Sequence, residues 1–285
     1  MERETKRIMD DETRQKYEAW KWRRIKKRVI YPSICFGTFL IVLLIIIVSC
    51  KNNNTYEKIA QEDSGEDLEI DQVDEVVGFY PIIYIFNSHP SEMIGATHEV
   101  LDDGEMYVVE VSHMLAERLE NYGLPTLVEE RCVNEKLLEQ GLQFPMAFQA
   151  ANEFVKQAKS QHPSIEFFID LHRDGISHTY ATVEIEGNNY ARILFVIGTD
   201  NPNGYQESYE VANQLHNLLE KIYPGISRGI LFSGGAGRDG IYNQDITPKL
   251  QLIEVGTVDS TVEEISRTID VLATVLATHI LENSQ

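Results

Sequence analysis

Twenty-two consecutive residues, Val29 to Cys50, carry no charge, and the ten from Phe39 to Val48 are all large and apolar. A helix of that length crosses a hydrocarbon core of about 30 Å, and a helix in a soluble core is rarely apolar on every side. The run therefore reads as one transmembrane helix dividing a short N-terminal piece from a long C-terminal one. Lys21, Arg23, Arg24, Lys26, Lys27 and Arg28 precede it, whereas only Lys51 follows closely. The positive-inside bias then puts residues 1–28 in the cytoplasm and everything after residue 50 outside, a single-pass protein of the cell membrane. A cleaved signal peptide is the competing reading, although the charged stretch ahead of the run is long for one. A lipoprotein is a narrower rival, because Ile47-Val48-Ser49-Cys50 has the form of a lipobox. Both rivals also export the remainder of the chain.

Charge is divided unevenly about this run. Of a net −20, residues 1–28 hold eleven Lys/Arg against six Asp/Glu, leaving fourteen against thirty-nine for the rest. So acidic a surface repels phosphate backbones, which argues against nucleic acid as a partner. Residues 51–76, with Asn52, Asn53, Asn54, Glu62, Asp63, Glu66 and Asp67 and few large apolar groups, read as an acidic flexible linker. Cysteine is sparse: Cys35 and Cys50 belong to the apolar run and Cys132 stands alone. Neither a disulfide framework nor a thiolate zinc site can be built from these, so any metal must sit on His and carboxylates.

From Val77 to the end, strand-like apolar runs alternate with stretches of helical period, the pattern of an α/β sheet with helices packed on its faces. The expected strands are 77–86, 126–129, 165–171, 179–185, 192–197, 229–232 and 250–255, the middle pair forming an antiparallel hairpin. Val108, Val111, Leu115, Leu119 and Tyr122 recur at helical steps, as do Val211, Leu215, Leu218 and Ile222. A last helix follows a capping box of Ser260 and Glu263, with Val262, Ile265, Ile269, Leu272, Leu276 and Ile280 on a core-facing stripe.

Three places in this domain carry chemistry. His89 and Glu92 follow the first strand at a spacing that lets an imidazole and a carboxylate converge on one ion within a turn, and loops at strand ends line the ligand crevice of an α/β sheet. His172 emerges from the strand 165–171 among Asp170, Arg173 and Asp174, where it is either a ligand or a structural histidine paired with a neighbouring aspartate. Glu254 closes the apolar run 250–255, and a buried carboxylate is costly unless paired, metal-bound or used. A salt bridge with Arg173 or Lys249 is its bland explanation and a general base its functional one. Together, two imidazoles and one carboxylate make a His₂Glu catalytic zinc site with a position open for water, and Glu254 is left to move the proton. Such a site hydrolyses an amide without a covalent intermediate.

These segments resemble the stage II sporulation protein P family of amidases. The resemblance is carried by Ile83-Tyr84-Ile85-Phe86-Asn87-Ser88-His89 with Glu92, Asp170-Leu171-His172-Arg173-Asp174-Gly175, Val196 to Asn203, Tyr242-Asn243-Gln244-Asp245 and Leu252-Ile253-Glu254-Val255-Gly256, in order across most of residues 80–281. It implies an open, mostly parallel sheet of the zinc amidase type over residues 77–285. It also implies Zn²⁺ on His89, Glu92 and His172, with Glu254 catalytic. The implied substrate is peptidoglycan, cut between N-acetylmuramic acid and L-alanine and often at peptide cross-links as well. Implied partners are stage II sporulation proteins D and M. Two departures stand out: Asn87-Ser88-His89 replaces the family's usual His-Thr-His, and the region between anchor and amidase is shorter than usual.

His113, His216 and His279 fall within helices, and His98, His162 and His178 lie in polar or loop contexts, so each is read as structural or solvated. Residues 233–240 lack the ending of a phosphate-binding loop and read as a flexible rim of the substrate cleft. There Arg238, with Arg173 nearer the ligands, is expected to meet substrate carboxylates. A zinc carboxypeptidase or endopeptidase of wall peptides is the enzymatic rival. A catalytically inactive wall-binding module is the rival from another class, prompted by Asn87.

Overall fold

Strand and helix periods of the C-terminal part are realised chiefly as one six-stranded mixed sheet with helices on both faces. The computed structural model describes residues 80–95 and 106–283. The basic N-terminus, the apolar run and the acidic stretch, residues 1–76, lie outside them. Among the described residues, no helix is long and apolar enough to cross a membrane.

The chain enters β1 (Ile83–Phe86), passes the short pair β2 (Met93–Ile94) and β3 (Met106–Tyr107), and continues through α1 (Val108–Glu120) and β4 (Thr126–Val128). Next come α2 (Val133–Gln140), one 3₁₀ turn at Phe144–Met146, α3 (Ala147–Gln161) and β5 (Phe167–Asp174). A single turn, α4 (His178–Ala181), leads to β6 (Thr182–Ile185), β7 (Asn188–Ala191) and β8 (Ile193–Gly198). The chain closes with α5 (Gln206–Ile222), β9 (Ser227–Ser233), β10 (Leu250–Thr257) and α6 (Val262–Asn283).

Six strands form the main sheet in the order β4-β1-β5-β10-β8-β9. All pairings are parallel except β10 with β8. The expected antiparallel hairpin forms, but between β6 and β7 as a separate two-stranded sheet. Glu186 and Gly187 both adopt positive φ, 52° and 78°, as a type I′ turn demands, so the strand reverses after Ile185. The segment from Ile193 is thereby released to join the main sheet. Thr179 to Ala181, expected to be strand, belong to α4.

Alternation along the central strands sorts side chains to two faces. On one, Ile83, Ile85, Phe167, Ile169, Leu171, Phe195, Ile253 and Val255 pack with α1, α5 and α6 into the larger core. The stripe of α6 is core, as its period requires, with Ile265, Ile269, Leu272 and Leu276 all fully buried. Its capping box is one residue later than the sequence pattern points: the Glu264 amide donates to Thr261 Oγ1 at 3.1 Å and the Thr261 amide to Glu264 Oε2 at 2.9 Å. Ser260 is occupied instead as acceptor from the Thr257 amide.

The opposite face carries Tyr84, Phe86, Phe168 and Leu250, covered by Ala147, Ala150, Ala151, Phe154 and Val155 of α3 and by Val133 and Leu137 of α2. Beside them Leu194, Val196, Leu252 and Tyr242 form a small satellite core against Phe148. The same face, nearer the carboxyl ends of β5 and β10, turns polar. This is where the candidate site lies.

Candidate metal centre

Beyond β1 the chain makes a tight turn, closed by the Glu92 amide donating to the His89 carbonyl at 3.2 Å. That turn presents His89 and Glu92, three residues apart, to one side. His89 Nδ1 lies 3.6 Å from Glu92 Oε1, and His172 Nδ1 lies 3.3 Å from Glu92 Oε2. One ligand atom from each of His89, Glu92 and His172 lies within 4.8 Å of the others, the one such metal-ligand group among the described residues. The two histidine rings stand nearly perpendicular, their centroids 5.0 Å apart. Three residues expected from sequence to share an ion are thus brought together by β1, its following turn and β5.

His172 is both ligand candidate and paired histidine. Its second nitrogen, Nε2, lies 3.0 Å from Asp170 Oδ1 and 2.9 Å from Ser88 Oγ, and Asp170 and Ser88 are fully buried. Ser88 also donates to Asp170 Oδ2 at 2.7 Å and, through its amide, to Oδ1 at 2.9 Å. A hydrolytic Ser-His-Asp triad needs serine and aspartate on opposite ring nitrogens and a serine open to substrate. Here both face Nε2 and Ser88 has no exposure. A carboxylate hydrogen-bonded to one ring nitrogen, with the other nitrogen turned to a ligand cluster, is instead the habit of metal-binding histidines.

Electrostatics follow the geometry. Burial alone would lower the His172 pKa, but the Asp170 and Glu92 carboxylates raise it well above the ordinary histidine value. Burial alone would raise that of Glu92; hydrogen bonds from His172 and His89 pull it well below the usual carboxylate range. The Arg173 amide adds a further bond to Glu92 Oε2 at 3.1 Å.

Glu254 lies inside β10 and directly opposite His172 in the parallel ladder with β5. Burial, with Glu92 and Asp174 adding to it and His172 opposing, pushes its carboxyl up to about 7. Its Oε2 is buried with no hydrogen-bond partner among the described residues. Neither salt bridge envisaged for it forms: Lys249 pairs with Glu166 at 3.7 Å, and the Arg173 side chain donates to the carbonyls of Met93 and Asp174. An orphaned carboxylate oxygen next to the His172 imidazole and near the Glu92 carboxylate fits a divalent cation in the cluster. The donor set, two nitrogens and carboxylate oxygen, suits zinc.

Aromatic residues wall the cluster. Phe144 stacks on His89 with centroids 4.7 Å apart, while Phe148 contacts His89, His172 and Tyr242. These residues escaped the sequence reading because α2 and α3 did, although Ala147, Ala150, Ala151, Phe154, Val155 and Ala158 recur at helical steps. Tyr242 and Asn243 hold positive φ, 53° and 60°. From that conformation Asn243 donates to the Phe148 carbonyl and accepts from Asn152, fastening α3 over the site. The segment 242–245 therefore builds the wall and supplies no ligand.

The loop 234–240 is pinned, contrary to the flexible rim its glycines suggest. The Gly235 amide donates to Asp200 Oδ2 at 2.7 Å and the Asp200 amide to the Gly240 carbonyl at 2.9 Å. Gly240, at φ 72°, packs so closely on the Asp200 carboxylate that a Cβ would collide with it. Arg238 is exposed on this loop and reaches Ser233 Oγ, itself bonded to the Tyr242 hydroxyl. Arg228, on β9, is a further cation that sequence reading missed; it is ion-paired with Asp174 at the carboxyl end of β5. Asn87 bonds the Leu171 carbonyl at 2.6 Å and Ser112 of α1 at 3.0 Å, on the side of the larger core. It contributes nothing to the cluster, which is complete without it.

Comparison with known proteins identifies the family of the chain. The family model described as stage II sporulation protein P (SpoIIP) matches residues 48–277. The stage II sporulation protein P of Bacillus subtilis (strain 168) is 30% identical over 230 residues, covering 79% of this chain and 57% of its own length. The chain thus spans little more than half the length of that relative. No solved structure matches. By its ordered motifs and the extent of the match, the chain belongs to the stage II sporulation protein P family.

Proposed function

We propose that this protein is a zinc-dependent N-acetylmuramoyl-L-alanine amidase, acting on peptidoglycan in sporulation-type remodelling of the cell wall. The observation that carries the reading is Glu254: a buried carboxylate with an orphaned oxygen, in register with a ligand histidine and poised at about 7. His89, Glu92 and His172 are the residues that hold the ion. Zinc there supplies Lewis-acid polarisation of a carbonyl and activation of water.

The chain's own residues do the rest. Glu254 accepts the proton of the attacking water and returns it to the leaving alanine nitrogen, a task suited to a carboxyl whose pKa lies near the working pH. Phe144 and Phe148 shield the His89 side of the cluster from bulk solvent. Arg238, exposed on its pinned loop, meets a carboxylate of the peptide stem. Arg173, with its guanidinium donating to two carbonyls, suits holding the Glu92 turn better than holding substrate.

Membrane attachment through residues 29–50, with the catalytic domain outside and stage II sporulation proteins D and M as partners, completes the proposal. Protease added to intact protoplasts should digest the domain and spare the basic N-terminus; protection of the whole chain contradicts that topology. Mass spectrometry of wall fragments treated with the full chain, with and without chelator, tests the activity. New L-alanine amino ends on intact glycan, lost on chelation, support the amidase. Cleavage confined to peptide bonds assigns the site to an endopeptidase or carboxypeptidase, and no cleavage at full zinc occupancy assigns it to an inactive binding module.

A further inference from the structure

Two buried residues that coordinate nothing decide which nitrogen His172 can offer. Asp170 Oδ1 and Ser88 Oγ both lie within 3.0 Å of His172 Nε2. The Asp170 carboxylate can only accept there. Ser88 has one hydroxyl proton, and its 2.7 Å bond to Asp170 Oδ2 uses it, since that oxygen has no proton to give. The Ser88 oxygen is therefore an acceptor toward the ring as well. Two acceptors converging on Nε2 require that nitrogen to carry the proton. In the neutral ring the lone pair is then left on Nδ1, the atom facing Glu92.

Resting on the metal site proposed above, we propose that Asp170 and Ser88 are positioning residues that lock His172 in the Nε2–H tautomer and aim Nδ1 at the ion. The pair is itself rigidly placed. Asp170 lies two residues before His172 on the same face of β5, and the Ser88 amide ties its carboxylate to the turn carrying His89 and Glu92. One buried unit thus fixes the orientation of one ligand and the approach of the segment that bears the other two.

The test is zinc affinity of the detergent-solubilised full chain, by chelator competition, beside the ¹⁵N resonances of the zinc-loaded His172 ring. Asp170→Asn keeps the shape and loses the charge, and should weaken zinc about 10–100-fold. Ser88→Ala should weaken it less, and Ser88→Thr, which keeps the hydroxyl, should restore it. The wild-type spectrum should show a protonated Nε2 and an unprotonated Nδ1. Unchanged zinc affinity in both Asp170→Asn and Ser88→Ala overturns the proposal, as does a proton on Nδ1. If Asp170→Asn proves unfolded, the Ser88 pair and the wild-type spectrum decide. A wild-type chain that binds no zinc overturns the metal site and this proposal together, a result distinct from tight binding that ignores both variants.

Discussion

Glu254 stands opposite His172 in the parallel ladder of β5 and β10, so a carboxyl without a hydrogen-bond partner on one oxygen adjoins the buried imidazole that Asp170 holds from behind. This relationship ties stability to pH in the metal-free protein. The folded-state carboxyl is raised from about 4.5 to about 7, so the folded chain binds its proton more tightly than the unfolded chain does. The stability from that proton is fully present below about 4.5 and lost as pH rises through about 7. Glu254→Gln removes the ionisation. Metal-free wild type should therefore lose stability relative to the variant between those pH values, on the order of 3 kcal/mol at 1.36 kcal/mol per unit. Denaturant melts at pH 4.5 and 8 measure this, and a gap between the two proteins that does not change with pH contradicts the burial argument.

Removing either imidazole should abolish binding of the proposed ion. A site of two histidines and one carboxylate has no spare protein ligand, so His89→Ala and His172→Ala should each reduce zinc to background by elemental analysis. Full zinc occupancy in both variants would show the ligand assignment to be wrong.

A contrasting cluster toward the β4 edge of the sheet tests the fold apart from the chemistry. Tyr84 donates to Glu129 at 2.5 Å, and Arg131 grips the same carboxylate through two nitrogens. Tyr84→Phe leaves that part-buried oxygen short of one donor and should cost about 1–3 kcal/mol. Zinc content and wall-fragment products should be unchanged. Loss of zinc in this variant would mean that the β4 edge and the His89–Glu92 turn are coupled more tightly than their separate contacts provide.

Arg238 tests substrate contact. A charge-assisted bond from an exposed guanidinium to a stem-peptide carboxylate is worth about 1.5–3 kcal/mol. Arg238→Ala should accordingly raise KM for stem-bearing fragments roughly 10–100-fold with kcat and zinc content little changed. A fall in kcat at constant KM would place the residue's effect in the transition state instead.

Much of this candidate site could be read along the chain, because each piece of it carries its own local signal. His89 and Glu92 share one turn, and the alternation of β5 and β10 exposes His172 and Glu254 as polar residues on apolar strands. What could not be read was the pairing between them: 82 positions separate Glu254 from His172, and only the strand order sets β10 beside β5. Ser88 escaped for the same reason, and Asp170 was legible only as a possible partner of His172, not as one that shares a ring nitrogen with Ser88. Their common target is a ring nitrogen whose direction depends on how β1 and β5 lie together. Phe148 was hidden behind a helix rich in alanine, whose stripe is too weakly apolar to stand out. Asn87 was misleading in the other direction: it looked like a lost site residue, yet its side chain serves the α1 core.

In the proposed reaction Glu254 moves the proton while His89, Glu92 and His172 hold the ion. Turnover of zinc-loaded Glu254→Gln on purified wall fragments, counted as new L-alanine amino ends beside wild type, tests it most directly. A general base typically contributes about 10²–10⁴-fold, so the variant should fall by that factor at unchanged zinc content and with its fold intact. Near-wild-type release from a fully zinc-loaded Glu254→Gln sample would contradict the account.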